Sequence, residues 1–563
     1  MARDRYREIY EAFRWQVPAD FNIAQWACRR WADDPARVAL DWEDESGARE
    51  SWTYRRIQDE ADRFSNVLAG LGVSRGDRVA LILPQRPQTI VVYVACFQMG
   101  AVAVPLSFLF GPEALEYRIA DSAATVAVVD PVTLEHLQPA RERLPGLAHV
   151  IGVAGAAGEG VTPWESIMER AASRFTPIAT RHDDPAAIIY TSGTTGPPKG
   201  ALLPHCALIG NLPGFEHSHD GFPKARDLFW SPADWAWTGG LWDALMPTLY
   251  HGERIVGYLG RFEPERALDL MARHRVRNAF LFPTALKLIM KAFPQPRSRY
   301  AVELRSLMSG GEALGAPVLE WAREELGVTV NEIFGQTEMN YIVGNSQSCW
   351  PVKPGSMGRP YPGHLVAVLD GDGRRVAPGE VGDVALRRTW VDGTPDPVFF
   401  LGYWNKPEAT AEKYSGEWCR TGDQARADED GNLWYHGRAD DIFKVSGYRV
   451  GPTEIESCLV KHPAVGNCAV VPSPDAARGS VVKAFILLAP GHAASPALEE
   501  AIREHVKTHL APYQQPRKIE FVSELPMTTT GKVQRKVLRE REAAQFAASP
   551  AIEAQGTERG ARG

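Results

Sequence analysis

From Thr191 to Gly200 the chain reads TSGTTGPPKG, four hydroxyl side chains, three glycines and one lysine. The stretch follows the apolar run Ala187-Ile188-Ile189-Tyr190. Glycines let backbone N–H groups converge, and with small hydroxyls and an ammonium they make a cradle for phosphate oxygens. A Walker loop is excluded, because that pattern places Gly before the Lys and Ser or Thr after it. Here Pro198 precedes Lys199 and Gly200 follows it. Taken alone, the stretch fits a polyanion cradle or a flexible surface turn.

Four more motifs follow it in order. They are Phe334-Gly335-Gln336-Thr337-Glu338, then Thr421-Gly422-Asp423, then GRADDIFKVSGYRVGPTEIE from Gly437 to Glu456, then PMTTTGK from Pro526 to Lys532. The five together, in this order and spacing, resemble the signature motifs of the acyl-adenylate-forming superfamily. That superfamily comprises acyl-CoA synthetases, peptide-synthetase adenylation domains and firefly-type luciferases. The resemblance runs from Trp26 to Glu540 and covers nearly the whole chain.

The resemblance implies a two-step reaction. A carboxylate attacks the α-phosphate of ATP to give acyl-AMP and pyrophosphate, and a thiol then displaces AMP. The first step brings two anions together, so positioning and charge neutralisation dominate its barrier. By the same resemblance Thr191, Ser192, Gly193, Thr194, Thr195, Gly196 and Lys199 wrap the β- and γ-phosphates. Glu338 holds Mg²⁺, a hard cation suited to carboxylate oxygen, and Thr337 contacts the α-phosphate. Asp423 takes both ribose hydroxyls, its two acceptor oxygens matching a cis-diol. Gly311, Glu312 and Ala313 line the adenine, while Arg438 and Arg449 supply charge near the ribose and α-phosphate.

Lys532 is implied to bridge carboxylate and phosphate during adenylation, which makes it a candidate target for a lysine acetyltransferase, since acetylation removes its charge. Asp440 occupies the hinge position, and Ser446, Gly447 and Tyr448 line the pantetheine tunnel for CoA. A peptide-synthetase domain is expected beside a carrier domain, and only a short polar tail follows Glu540, so free CoA is the better acceptor. In the acetate-specific branch a tryptophan stands where this chain has Gly335. With Trp237, Thr238, Gly239 and Gly310, that glycine reads as the wall of a deep acyl pocket. The segments FNIAQWACRRWA from Phe21 and SPADWAWTGG from Ser231 resemble medium-chain acyl-CoA synthetases. The expected acid is a medium-chain or branched fatty acid; an aryl acid such as benzoate, or stand-alone loading of a carrier protein, are the alternatives.

These residues need a scaffold, and the sequence reads as α/β. From Tyr54 to Trp350, strand-like apolar runs (78–84, 124–130, 186–192, 278–283 and 304–311) alternate with helical patterns, the mark of layered α/β units with mainly parallel sheets. Past Gly355, short strands joined by Asp-Gly turns indicate a β-rich subdomain. The expected organisation is a large N-terminal domain, 1–439, a small mobile α+β domain, 440–545, and a disordered tail, 546–563. Thr89 to Phe110 is uncharged over a membrane-length span, but Gly100 and Pro105 interrupt it, so it reads as a buried helix, a glycine turn and a buried strand. A net charge of −7 with interspersed signs argues against nucleic-acid or membrane-surface binding. Seven single cysteines, with no Cys/His ligand spacing recognised, and the lack of a signal-like N-terminus fit a reduced cytoplasmic enzyme.

Overall fold

The computed structural model describes the chain except residues 1–3, 192–196, 313, 440, 442, 446–447, 476–478, 529–532 and 549–563, and the side chains at 444, 448, 449, 479, 547 and 548. It divides into two compact units, Met1–Tyr435 and His436–Gly563. The expected α/β architecture is present in the first. A nine-stranded sheet has a parallel centre, Val330–Gln336, Ser306–Gly310, Asn278–Phe280, Phe229–Trp230, Ile255–Leu259 and Val38–Asp44, with antiparallel edges. An eight-stranded sheet is built around Arg78–Ile82, with Val102–Pro105 and Val126–Val129 as its parallel neighbours. A third sheet, centred on Val381–Arg387 and Trp418–Ala427, is antiparallel and supplies the expected β-rich part.

The uncharged segment resolves as the sequence suggests. Pro87–Gln98 is a helix, Gly100 takes φ +66, and Val102–Pro105 is a fully buried strand. Helix and strand are apolar on every side because protein covers every side. Among the described residues no helix is long and apolar enough to cross a membrane.

The second unit packs helices Pro452–Leu459, Pro496–His509 and Arg535–Ala548 with a three-stranded sheet, Val465–Asp475, Gly479–Leu488 and Lys518–Val522. Ser495 caps the middle helix by accepting from the Leu498 N–H, with Pro496 at the first helical position, where its missing donor costs nothing. The last helix continues to Ala548, beyond the Phe546 boundary where the tail was expected to begin.

Candidate active site

The loop that opened the sequence reading joins two antiparallel strands, Pro185–Thr191 and Lys199–Pro204, with Thr191 paired to Lys199. Ser192, Gly193, Thr194, Thr195 and Gly196 lie outside the described residues, so the cradle is seen only at its rims. Thr191 Oγ1 donates to the Lys199 carbonyl at 3.3 Å, and Tyr117 donates to the Pro198 carbonyl at 3.0 Å. The short strand Gly402–Tyr403 pairs antiparallel with Lys199–Pro204 on its outer side. Its Tyr403 ring sits 5.2 Å beneath the Lys199 ammonium, within cation–π range.

Tyr403 also joins the two large sheets. Its hydroxyl donates to the Glu338 carboxylate, which is buried in the turn that ends Val330–Gln336. The Glu338 carbonyl accepts from the Phe400 N–H at 2.9 Å, so backbone and side chain of this acid are both held by the 400–403 segment. Lys199, Tyr403 and Glu338 therefore form one cluster, in which an ammonium and a carboxylate flank a phenol.

The turn that carries Thr337 and Glu338 is tightly constrained. It ends on Asn340 at φ +46, a region that asparagine tolerates better than most side chains. Thr238 donates to Thr337 Oγ1 at 3.1 Å. Since Thr337 accepts there, its own O–H is left to donate elsewhere, as contact with an anionic oxygen requires. That bond also draws the Trp237–Gly239 segment beside the motif. Gln336 donates to the Thr421 carbonyl at 2.9 Å and to Asp423 Oδ2 at 3.3 Å, while Tyr435 donates to Asp423 Oδ1 at 3.1 Å. Each Asp423 oxygen thus accepts from one of these two side chains, which orient the carboxylate. Lys413 fixes Gln336 from behind, 2.6 Å from Oε1.

On the acyl side, Trp237 meets Phe110 edge to face at 5.7 Å, and Phe280 meets Phe282 at 5.2 Å. A Cβ on Gly239 would touch Phe280 at 3.0 Å and Phe282 at 3.6 Å, so this glycine brings the backbone onto aromatic rings. Gly310 lies against Ile333, with a Cβ contact of 2.5 Å. Gly335 needs a corrected explanation. A Cβ there would stand 1.7 Å from the Asn340 carbonyl oxygen and 2.4 Å from Tyr341 Cα. The glycine is required by the close approach of two strands, and its Cβ direction leads into backbone rather than into open space for an acyl chain.

Burial pushes the Asp234 carboxyl, three residues before Trp237, up to about 6. Gly311 takes φ +92, and beside it Glu312 accepts from Thr284 at 3.1 Å. Ala313, Asp440, Ser446, Gly447 and Lys532 lie outside the described residues, as do the Tyr448 and Arg449 side chains. Arg438, a residue of the second unit, ends the strand Leu433–Arg438. The structure thus brings together Lys199, Glu338, Thr337, Thr238 and Asp423 from segments far apart in sequence. Sequence reasoning missed Tyr403, Tyr435 and Lys413, whose roles arise only from contacts between segments distant in sequence; no local pattern marks them.

Comparison with known proteins identifies the family. The AMP-binding enzyme family matches residues 24–394, and the AMP-binding enzyme C-terminal domain matches residues 454–532. The uncharacterized acyl-CoA ligase YtcI of Bacillus subtilis (strain 168) is 35% identical over 533 residues, covering 93% of this chain and 97% of that protein. Human mitochondrial acyl-coenzyme A synthetase ACSM5 is 35% identical over 539 residues, covering 93% of this chain and 91% of that protein. Among solved structures, the anthranilate CoA ligase AuaEII in complex with anthranoyl-AMP is 30% identical, with a TM-score of 0.85 over 94% of this chain and 99% of that one.

Proposed function

The chain belongs to the AMP-binding enzymes and is an AMP-forming CoA ligase, and from that premise we propose that its acid substrate is a medium-chain or branched fatty acid. The observation that carries this reading is the aromatic surround at Gly239. Trp237, Phe110, Phe280 and Phe282 gather on the segment that Thr238 hydrogen-bonds to Thr337. An alkyl chain beside these rings leaves water, at about 0.8 kcal/mol per methylene.

ATP, CoA and a carboxylic acid are the substrates that the family implies. In the adenylation step Thr337 donates its free O–H to an oxygen of the reacting phosphate, and Asp423 receives the ribose hydroxyls. Lys199 offsets phosphate charge at the rim of the 192–198 loop. The Glu338 carboxylate, buried and held by Tyr403, would supply a hard oxygen ligand to Mg²⁺, whose remaining ligands are phosphate oxygens and water. When bound with ATP, that cation neutralises phosphate charge. Lys532 bridges the two anions in this step. Asp440 is the pivot about which the small domain presents Ser446, Gly447 and Tyr448 to CoA for the second. Acetylation of Lys532 would silence the first step alone.

An aryl acid is the second reading, favoured by the ring-rich surround and by the anthranoyl-AMP bound in a structure similar to this chain. Pyrophosphate release across straight, branched and aromatic acids separates the two. The fatty-acid reading expects kcat/KM to rise roughly fourfold per methylene from C4 to C8 acids. A benzoate or anthranilate optimum, or a best rate on acetate, overturns it.

A further inference from the structure

The second unit carries metal-capable side chains on two neighbouring helices. Cys458 lies in Pro452–Leu459, with His462 four residues on; His505 and His509 lie four apart in Pro496–His509. His505 and His509, four apart on one helix, share a face, while His462 lies beyond the end of Pro452–Leu459. The His-x₃-His spacing went unremarked in the sequence, and Cys458 stands apart from it. The strands over 465–488 separate the two helices in sequence and hide their relation.

Folding brings one ligand atom from each of Cys458, His505 and His509 to within 4.8 Å of one another. Each imidazole holds a backbone carbonyl through one nitrogen. His509 Nδ1 lies 2.7 Å from the His505 carbonyl, and His505 Nε2 lies 3.1 Å from the Cys458 carbonyl. Carbonyls only accept, so both of these nitrogens carry the proton, and the opposite nitrogen of each neutral ring keeps its lone pair. Metal-ligating histidines are held in this way, with one N–H on a carbonyl and the other nitrogen on the ion. Burial raises the Cys458 thiol pKa, so an arriving cation must displace its proton, and the group is not a free thiolate nucleophile.

We propose that Cys458, His505 and His509 form a site for one borderline-soft divalent cation of the zinc class, which clamps the two helices, with water in the fourth position. Tetrahedral zinc bond lengths put thiolate and imidazole ligand atoms about 3.3–3.6 Å apart. Closing from 4.8 Å takes a small inward rotation, which exposed His509 at the end of its helix is free to make. His462 is outside the ligand set. Its Nδ1 accepts from the Ala464 N–H at 3.2 Å, which leaves the proton on Nε2.

The test titrates reduced, tag-free full-length protein with Co²⁺ as the optical probe and Zn²⁺ as competitor. One equivalent of Co²⁺ is expected to give tetrahedral d–d bands and a thiolate-to-cobalt charge-transfer band, both abolished by one equivalent of Zn²⁺. Cys458→Ser should lose the charge-transfer band. His509→Ala, an exposed change that leaves the core intact, should weaken binding at least roughly tenfold, whereas His462→Ala should leave it unchanged. No thiolate band, a band that persists in Cys458→Ser, or unaltered affinity in His509→Ala overturns the proposal. Should Cys458→Ser fail to fold, the His509→Ala titration decides alone.

Discussion

Gly335→Ala adds one methyl group where the structure has no room for it. The new Cβ would sit 1.7 Å from the Asn340 carbonyl oxygen, whereas real Cβ atoms essentially never approach closer than 3.0 Å. One strand must therefore withdraw by about 1.3 Å. The Asn340 side is poorly placed to yield, because Tyr341 is 1% exposed and its ring is wedged over Gly214, where a Cβ would lie 2.4 Å away. The displacement then falls on the turn between the strands, which holds Thr337 and Glu338. Shifting that turn by about 1 Å lengthens the Thr238–Thr337 hydrogen bond and moves both reactive groups. A misplacement of that size costs about 10²-fold in rate, or roughly 2.7 kcal/mol of barrier. The assay is single-turnover acyl-AMP formation with C4, C6 and C8 acids, with a melting midpoint to verify the fold. Adenylation should fall about 100-fold for every acid alike. If position 335 merely opens an acyl pocket, one methyl group would spare C4 and penalise only C8. Wild-type rates on the short acid would refute the packing argument.

Tyr403→Phe keeps the ring under Lys199 but removes the donor to Glu338; a hydrogen bond to a charged group is worth about 1.5–3 kcal/mol, so adenylation should drop roughly tenfold or more, with the loss appearing as a higher Mg²⁺ concentration for half-maximal rate in a metal titration. An unchanged titration would show that Tyr403 only packs. Lys532→Ala should abolish acyl-AMP formation yet leave thioester formation from preformed acyl-AMP largely intact; equal collapse of both would contradict the division of labour. Asp440→Pro, which fixes φ and removes an N–H, should retain adenylation and lose CoA transfer, and normal rates in both would remove the pivot. Burial lowers His205 and His219 to about 3 from 6.5. Both are neutral in the fold, so stability is full above pH 6.5 and falls below it as the unfolded chain takes up protons, by about 2 kcal/mol for each histidine at pH 5. Replacing either with Gln should flatten the drop in melting temperature between pH 7 and pH 5, and an unaltered drop would show that it does not titrate in that window.

What could be read in advance had local causes. The 89–110 segment was legible because a glycine at φ +66 and a proline interrupt an uncharged run, which only a buried helix and strand can then satisfy. Ser495-Pro496 was legible because a cap hydroxyl and a proline in the first turn act within four residues. Thr337, Glu338 and Asp423 were singled out through motifs, and the fold brings them near one another, with Gln336 linking Asp423 to the end of the strand that leads to Thr337.

The residues that stayed hidden depend on contacts between distant segments. Tyr403 is one aromatic among many until the strand Gly402–Tyr403 adds to the sheet edge and meets Glu338 from the other sheet. Gly335 shows the same limit in reverse. Its identity was noticed, but a small residue reads the same whether it leaves space or closes it. Only the direction of the missing Cβ decides between them, and that direction is set by where Asn340 and Tyr341 return along the neighbouring strand. Cys458 and His505 repeat the pattern, since one helix carries one member of the proposed ligand set and the other carries two, and neither part has meaning until the helices pack. Chemistry written within one turn or one strand end is therefore legible from residues in order, while chemistry assembled across sheets and helices becomes legible only once the backbone is closed.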